Sequence, residues 1–182
     1  MPELLQQELA ARVAAIELLI LDVDGVLTDG SVVYAADLWE IKAFHVRDGS
    51  AIKWWRQAGK RVGVISGRSS PAVARRTAEL GIDHLIQGAD AKLPALRAVL
   101  AGTGCRPEQT CAVGDDLPDL PLLRNVGLAG AVADAAEEVK QAAHFVTRAP
   151  GGRGAVREVV ELLLKGQRLW QGVVERYHAE RL

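Results

Sequence analysis

The chain has 182 residues, and its 22 Lys and Arg against 23 Asp and Glu leave a net charge of −1. That length suits one folded domain with a real core, and the interspersed charges argue against a nucleic-acid surface, which needs a basic excess or a clustered patch. No apolar run approaches a membrane span, and residues 1–15 lack the apolar centre of a signal peptide, so the expected compartment is the cytoplasm.

Leu4, Leu5, Leu9, Val13 and Ile16 recur at helical spacing, which predicts a helix over Pro2 to Ala15. Leu18 to Leu21 then run into D-V-D-G-V-L-T-D-G, residues 22–30. Four apolar residues bounded by a Gly read as a strand buried on both faces. Asp22 and Asp24, two residues apart, would point to the same side of the chain and repel. A functional site or an ordinary polar turn would both explain them. Residues 31–46 read as a β-hairpin, with Val32 to Tyr34, a turn near Ala36 and Asp37, and Trp39 to Val46. Asp48 looks like the N-cap of a helix over Ala51 to Gln57, stopped by Gly59.

Arg61 to Ile65 is a second buried strand that empties into Ser66-Gly67-Arg68. Ser70 and Pro71 open a helix that Gly81 closes. His84 to Ile86 is a short strand, and Lys92 to Leu100 a helix. Cys105 has no metal-type spacing to Cys111, and both are expected as reduced thiols. Thr110 to Val113 is a strand that empties into Gly114-Asp115-Asp116. Pro118 to Arg124 is a short helix, Gly127 to Ala129 a strand, Ala135 to Ala142 a helix and His144 to Thr147 a last strand. After Gly151-Gly152-Arg153-Gly154, one long helix is expected from Ala155 to Tyr177. Strands alternating with helices predict an α/β class with a mainly parallel sheet, the hairpin being its one insertion.

Three strands thus end in polar clusters: Asp22 and Asp24, Ser66, and Asp115 and Asp116. In open α/β sheets, sites form outside the carboxyl ends of strands. Four carboxylates there would repel strongly, and a hard divalent cation with oxygen ligands, such as Mg²⁺, would resolve the repulsion. Ser66, the Gly67-Arg68 turn and Lys92 could receive an anion. Lys92 at a helix start opposes the macrodipole, a small penalty that points to a role.

D-V-D-G-V-L-T-D-G, S-G-R, the single Lys92 and G-D-D-L-P-D-L-P occur in the order seen in the haloacid dehalogenase-like phosphatases, and the chain resembles that family. The runs F-H-V-R-D-G-S-A-I-K, Q-G-A-D-A-K and G-G-R-G-A-V-R-E are similar to its 3-deoxy-D-manno-octulosonate 8-phosphate phosphatases. The resemblance spans about Ile16 to Leu164 and leaves 167–182 outside. It implies a capless Rossmann-like fold in a single domain and an aspartyl-phosphate mechanism. Asp22 is then the nucleophile and Asp24 the acid and base. Mg²⁺ is held by the Asp22 carboxylate, the Asp24 main-chain carbonyl and Asp115, with Asp116 and Asp119 behind them. Ser66 and Lys92 bind the phosphoryl oxygens. Asp24, Lys92, His45, Val46, Arg47, Asp48, Gly49, Lys53, Arg68 and Arg76 fall at substrate-contacting positions. His45 departs from the usual Asn, and Ser50 from a bulkier residue.

The resemblance also implies a homotetramer in which hairpins pack together and the Gly151–Gly154 segment reaches an adjacent site. Trp39 is the interface candidate on the hairpin. Three other readings compete. A nine-carbon keto-acid 9-phosphate would use the same chemistry. A phosphoryl-accepting receiver module would carry its acidic pair first, whereas here the pair comes last. A non-catalytic oligomerisation module would not need both Asp22 and Asp24.

Overall fold

Every side chain from Leu18 to Leu21 is fully buried, and the strand they form is the centre of the molecule. The computed structural model describes residues 3–36 and 39–179, with side chains from residue 7 onward. In chain order it forms α1 (Glu3–Ala15), β1 (Leu18–Leu21), an antiparallel hairpin of β2 (Val33–Tyr34) and β3 (Glu40–Ile41), and α2 (Val46–Gln57). There follow β4 (Arg61–Ile65), α3 (Pro71–Leu80), β5 (His84–Ile86), α4 (Lys92–Thr103) and β6 (Thr110–Gly114). The chain closes with α5 (Leu120–Leu123), β7 (Leu128–Ala131), α6 (Glu137–Ala142), β8 (Phe145–Val146), α7 (Ala155–Gly166) and α8 (Trp170–Ala179).

Six strands make one sheet in the order β5-β4-β1-β6-β7-β8, and every neighbouring pair is parallel. The chain builds outward from β1 on one side, through β4 and β5, then crosses to β6 on the other. That reversal places a crevice beyond the carboxyl ends of β1, β4 and β6. α2 packs on α7, and α7 on α1 and α8; α4 packs on α5, and α5 on α6. The sheet lies between these helices, as the α/β expectation required. Trp55, on the buried face of α2, is fully buried, and its Nε1 donates to the Arg61 carbonyl at 2.9 Å. Trp54, its neighbour on the helix, points elsewhere, as a 100° step requires.

Several boundaries correct the sequence expectations. α2 begins at Val46, and its N-cap is His45, in extended backbone with φ −82° and ψ 129°. Asp48 is therefore not the N-cap but a first-turn residue. Its buried carboxylate caps a different helix: Oδ1 accepts from the Arg157 N–H at 2.7 Å and Oδ2 from the Gly154 N–H at 3.2 Å. The second hairpin strand is only Glu40–Ile41, not Trp39 to Val46, because its partner Val33–Tyr34 offers just two residues to pair with. Asp37 of the expected turn lies outside the described residues, as does Pro2. Helix α4 runs on to Thr103, the 118–124 helix is a 3₁₀ turn over Leu117–Asp119 followed by α5, and α6 starts at Glu137.

The long C-terminal helix is broken. Gly166 sits where a Cβ would come within 2.4 Å of Val13. Gln167 Nε2 donates to the carbonyls of Val13 and Ile16 at 3.0 and 2.8 Å. Arg168 then takes a left-handed φ of 60°, which turns α8 back onto α2. Trp170 packs edge-on to Trp54 at 5.7 Å between ring centroids. The Arg157 guanidinium stacks 4.1 Å over the same Trp54 ring, a cation–π contact.

Candidate active site

Leu21 pairs with Val64 on one side and Val113 on the other. The residues that leave β1, β4 and β6 therefore emerge side by side: Asp22, Ser66 and Asp115. They open on a crevice of about 310 Å³ that also receives Asp24, Arg68, Lys92, Asp116 and Asp119. The structure thus joins eight of the sequence-predicted residues, drawn from four loops.

The D-V-D-G turn is tightly wound, with the Val23 carbonyl accepting from the N–H groups of Val26, Leu27 and Thr28 at 3.2, 2.9 and 3.0 Å. Gly25 has φ +85°, and a Cβ there would lie 2.0 Å from Asp115 Oδ2. Only a glycine both adopts that backbone and lets the two loops close. The Gly151–Gly154 segment is built onto this turn of its own chain: the Gly152 N–H donates to the Val26 carbonyl at 2.9 Å, and a Cβ on Gly151 would meet the Gly25 carbonyl oxygen.

Lys92, the first residue of α4, is buried and reaches Asp22 Oδ1 at 2.9 Å and Asp119 Oδ1 at 2.5 Å. Burial opposes its charge, but the two carboxylates outweigh burial and raise its pKa. Burial, then the charge of Asp119, pushes Asp22 up to about 6 despite Lys92. Burial, then Asp22 and Asp119, pushes Asp115 up to about 8. Ser66 is buried beside them, and its Oγ accepts from the Arg68 N–H at 3.2 Å.

These residues fit a divalent cation. Asp22, Asp115 and Asp119 bring carboxylate oxygens within 4.8 Å of one another, and one ammonium leaves the group short of positive charge. The oxygen-only donor set suits a hard ion. Asp119 is committed elsewhere, because Oδ2 accepts from the N–H groups of Asp115 and Asp116 at 3.0 and 3.4 Å and Oδ1 holds Lys92. Asp22 and Asp115 are the carboxylates left to face the ion, with Asp119 behind them. Asp116 is exposed and caps the 3₁₀ turn through Leu117 N–H at 2.8 Å.

The Asp24 carboxylate lines the same crevice but is not one of that cluster's three carboxylates. Its Oδ1 accepts from Lys42 Nζ, and its Oδ2 lies 3.9 Å from Arg68 Nε. Glu40 completes the group, at 2.7 Å from Arg68 Nη2 and 3.4 Å from Lys42 Nζ. Sequence reading missed Lys42 and Glu40. The signal was E-I-K at 40–42: two charges at alternate strand positions share one face.

The remaining predicted substrate residues lie outside the crevice. His45, Val46, Arg47, Asp48 and Gly49 form the start of α2. Arg47 and Lys53 are exposed. Arg76, on α3, pairs with Glu79 at 3.3 Å and covers Phe44 at 5.9 Å from the ring centroid. A Cβ on Gly49 would lie 2.2 Å from its guanidinium.

Comparison with known proteins was consistent across sequence and structure. Residues 84–158 match the family model of haloacid dehalogenase-like hydrolases. A 3-deoxy-D-manno-octulosonate 8-phosphate phosphatase of Yersinia pestis is 47% identical over 161 residues, covering 88% of this chain and 86% of that protein. The crystal structure of a "probable yrbi family phosphatase" from Pseudomonas syringae pv. phaseolica superposes with a TM-score of 0.93 at 46% identity, covering 96% of this chain and 99% of that one. The 3-deoxy-D-manno-octulosonate 8-phosphate phosphatase of Moraxella catarrhalis, solved with magnesium, phosphate and KDO, gives 0.91 at 39% identity, covering 94% and 98%.

Proposed function

Because the chain belongs to the haloacid dehalogenase-like hydrolases, in the branch of the 3-deoxy-D-manno-octulosonate 8-phosphate phosphatases, we propose that it hydrolyses this sugar-acid phosphate to KDO and phosphate. The observation that carries the chemistry is the Asp22–Lys92 contact of 2.9 Å at the mouth of β1.

An Asp22 carboxylate oxygen attacks phosphorus while the bond to the ester oxygen breaks. Asp24 delivers its proton to that departing oxygen. Water then attacks the aspartyl-phosphate, Asp24 takes its proton, and the Asp22 oxygen–phosphorus bond breaks. Splitting one displacement into two lowers each barrier. Lys92 and Ser66 hold the phosphoryl oxygens, where stabilising spread charge supplies most of the catalysis. Magnesium, held by the Asp22 carboxylate, the Asp24 main-chain carbonyl and Asp115, would screen the nucleophile from the phosphate charge. We take magnesium as the ion because the Moraxella catarrhalis relative was solved with it.

The working form is a homotetramer in this reading. Val33, Tyr34, Trp39 and Ile41 on the hairpin are 48, 60, 64 and 52% exposed, an apolar surface suited to a second copy. A neighbouring subunit would close the crevice over the substrate, while His45, Val46, Arg47, Gly49, Lys53 and Arg76 are assigned to substrate by the family resemblance. In this reading the reaction takes place in the cytoplasm; the free thiols of Cys105 and Cys111 support it, because unpaired thiols suit a reducing compartment. No helix among the described residues is long and apolar enough to cross a membrane.

Phosphate release across eight- and nine-carbon keto-acid phosphates and simple hexose phosphates tests the substrate. The eight-carbon ester should have the highest kcat/KM; a best substrate without a carboxylate would overturn the assignment. Asp22→Asn should lose at least about 10³-fold in turnover while keeping its fold. Ordinary turnover by that variant would remove the phosphoenzyme mechanism.

A further inference from the structure

Lys42 stands out among the lysines. It leaves the short hairpin strand β3, whose Ile41 is exposed, yet its own side chain is 1% exposed. Burying a lysine immobilises a flexible stem and strips a strongly hydrated ammonium, so something must hold it. Its Nζ donates to Asp24 Oδ1 and lies 3.4 Å from Glu40 Oε1. Glu40 in turn holds Arg68 at 2.7 Å.

We infer that Lys42 is a positioning residue for the proton-transfer step: by fixing Oδ1 of Asp24, it presents Oδ2 to the oxygen of the leaving group. The inference rests on the proton-donor role proposed for Asp24. The terminal torsion of an aspartate is broad, so a carboxylate at a crevice mouth needs a partner to hold one orientation. A charge-assisted hydrogen bond from a buried ammonium is a strong one. Arg68 Nε, at 3.9 Å from Oδ2, is too far for a hydrogen bond and leaves that oxygen open to the crevice. Lys42 also ties the hairpin to the reacting centre, because Asp24 is in the catalytic turn and Lys42 follows β3.

The alternative role, a staple that only holds the hairpin down, is separated by leaving-group dependence. An alkoxide must be protonated as it leaves, whereas p-nitrophenolate leaves unaided. First-turnover release is therefore measured with the eight-carbon sugar-acid phosphate, with glycerol phosphate and with p-nitrophenyl phosphate, for wild type, Lys42→Met, Lys42→Arg and Asp24→Asn. Lys42→Met should slow alkyl ester cleavage by about 10²-fold or more and the p-nitrophenol burst by far less, with Lys42→Arg recovering much of the difference. Equal losses on both ester types, or no loss, would overturn the role of Lys42. If Asp24→Asn shows the split and Lys42→Met does not, only the Lys42 inference falls. If Asp24→Asn shows no split, the proton-donor reading itself fails. Lys42→Gln, which keeps a donor without the charge, should show the same split to a smaller degree, so the test stands if Lys42→Met folds poorly.

Discussion

Lys92 and Asp22 form an ion pair of 2.9 Å with both side chains less than a tenth exposed. The ammonium also holds Asp119, so one positive charge serves two buried carboxylates. Removing one partner of a buried pair leaves the other charge uncompensated, which costs about 3–5 kcal/mol. Lys92→Met should therefore lower the melting temperature in chelator at neutral pH, and cut kcat/KM for the sugar-acid phosphate by about 10²-fold or more. Calorimetry and phosphate release check the two parts. Unchanged kinetics would mean that Lys92 is structural alone.

The acidic cluster predicts a pH dependence of stability. Asp22 rises from an ordinary 3.8 to about 6, and Asp115 from 3.8 to about 8. Between pH 4 and 8 the folded, metal-free chain therefore holds protons that the unfolded chain has released. Stability falls with pH wherever the folded state binds more protons. The melting temperature in chelator should thus decline as pH rises through about 6 and on to about 8. Magnesium needs ionised ligands, so it should raise the melting temperature more at pH 8 than at pH 5. A metal-free melting temperature that climbed across this range would contradict the burial argument.

Gly25→Ala tests the close approach of two loops. The new Cβ would fall 2.0 Å from Asp115 Oδ2 on a backbone with φ +85°. A left-handed alanine costs of order 1–3 kcal/mol, and the clash displaces a carboxylate that faces the ion. The expected outcome is a fall in magnesium affinity, read by titration calorimetry, larger than the fall in stability. A variant that bound magnesium normally would show that the turn relaxes without moving Asp115.

Asp48 was expected at the substrate, and its carboxylate instead caps α7 through Gly154 and Arg157. Burial raises its pKa despite those two N–H donors. Asp48→Ala should cost about 1–3 kcal/mol, since it leaves two part-buried N–H groups without their acceptor. KM should change little. A large rise in KM with normal stability would return Asp48 to the substrate.

The alternation of elements was legible because it is local. Four consecutive apolar residues at 18–21 and five at 61–65 that admit only a Gly and a terminal Arg make buried strands almost wherever they occur. Gly81 and Ser70-Pro71 mark helix ends by their own backbone preferences. The C-terminal helix misled for the opposite reason. Its apolar spacing runs on past 166, but the break is made by contacts of Gly166 and Gln167 with residues about 150 positions earlier.

The same division runs through the site. Asp22, Asp24, Ser66 and Asp115 follow apolar strands directly, and parallel pairing brings strand exits together whatever lies between them. The sequence alone therefore determined that these groups meet. It could not determine which oxygen faces which cation, because that depends on side-chain packing between distant segments. Lys42 reaches Asp24 across 18 residues and Asp48 reaches Arg157 across 109. Tertiary structure decided that the Asp24 carboxylate is held by the hairpin, because the buried Lys42 side chain finds Asp24 and Glu40 as its carboxylate partners among the described residues.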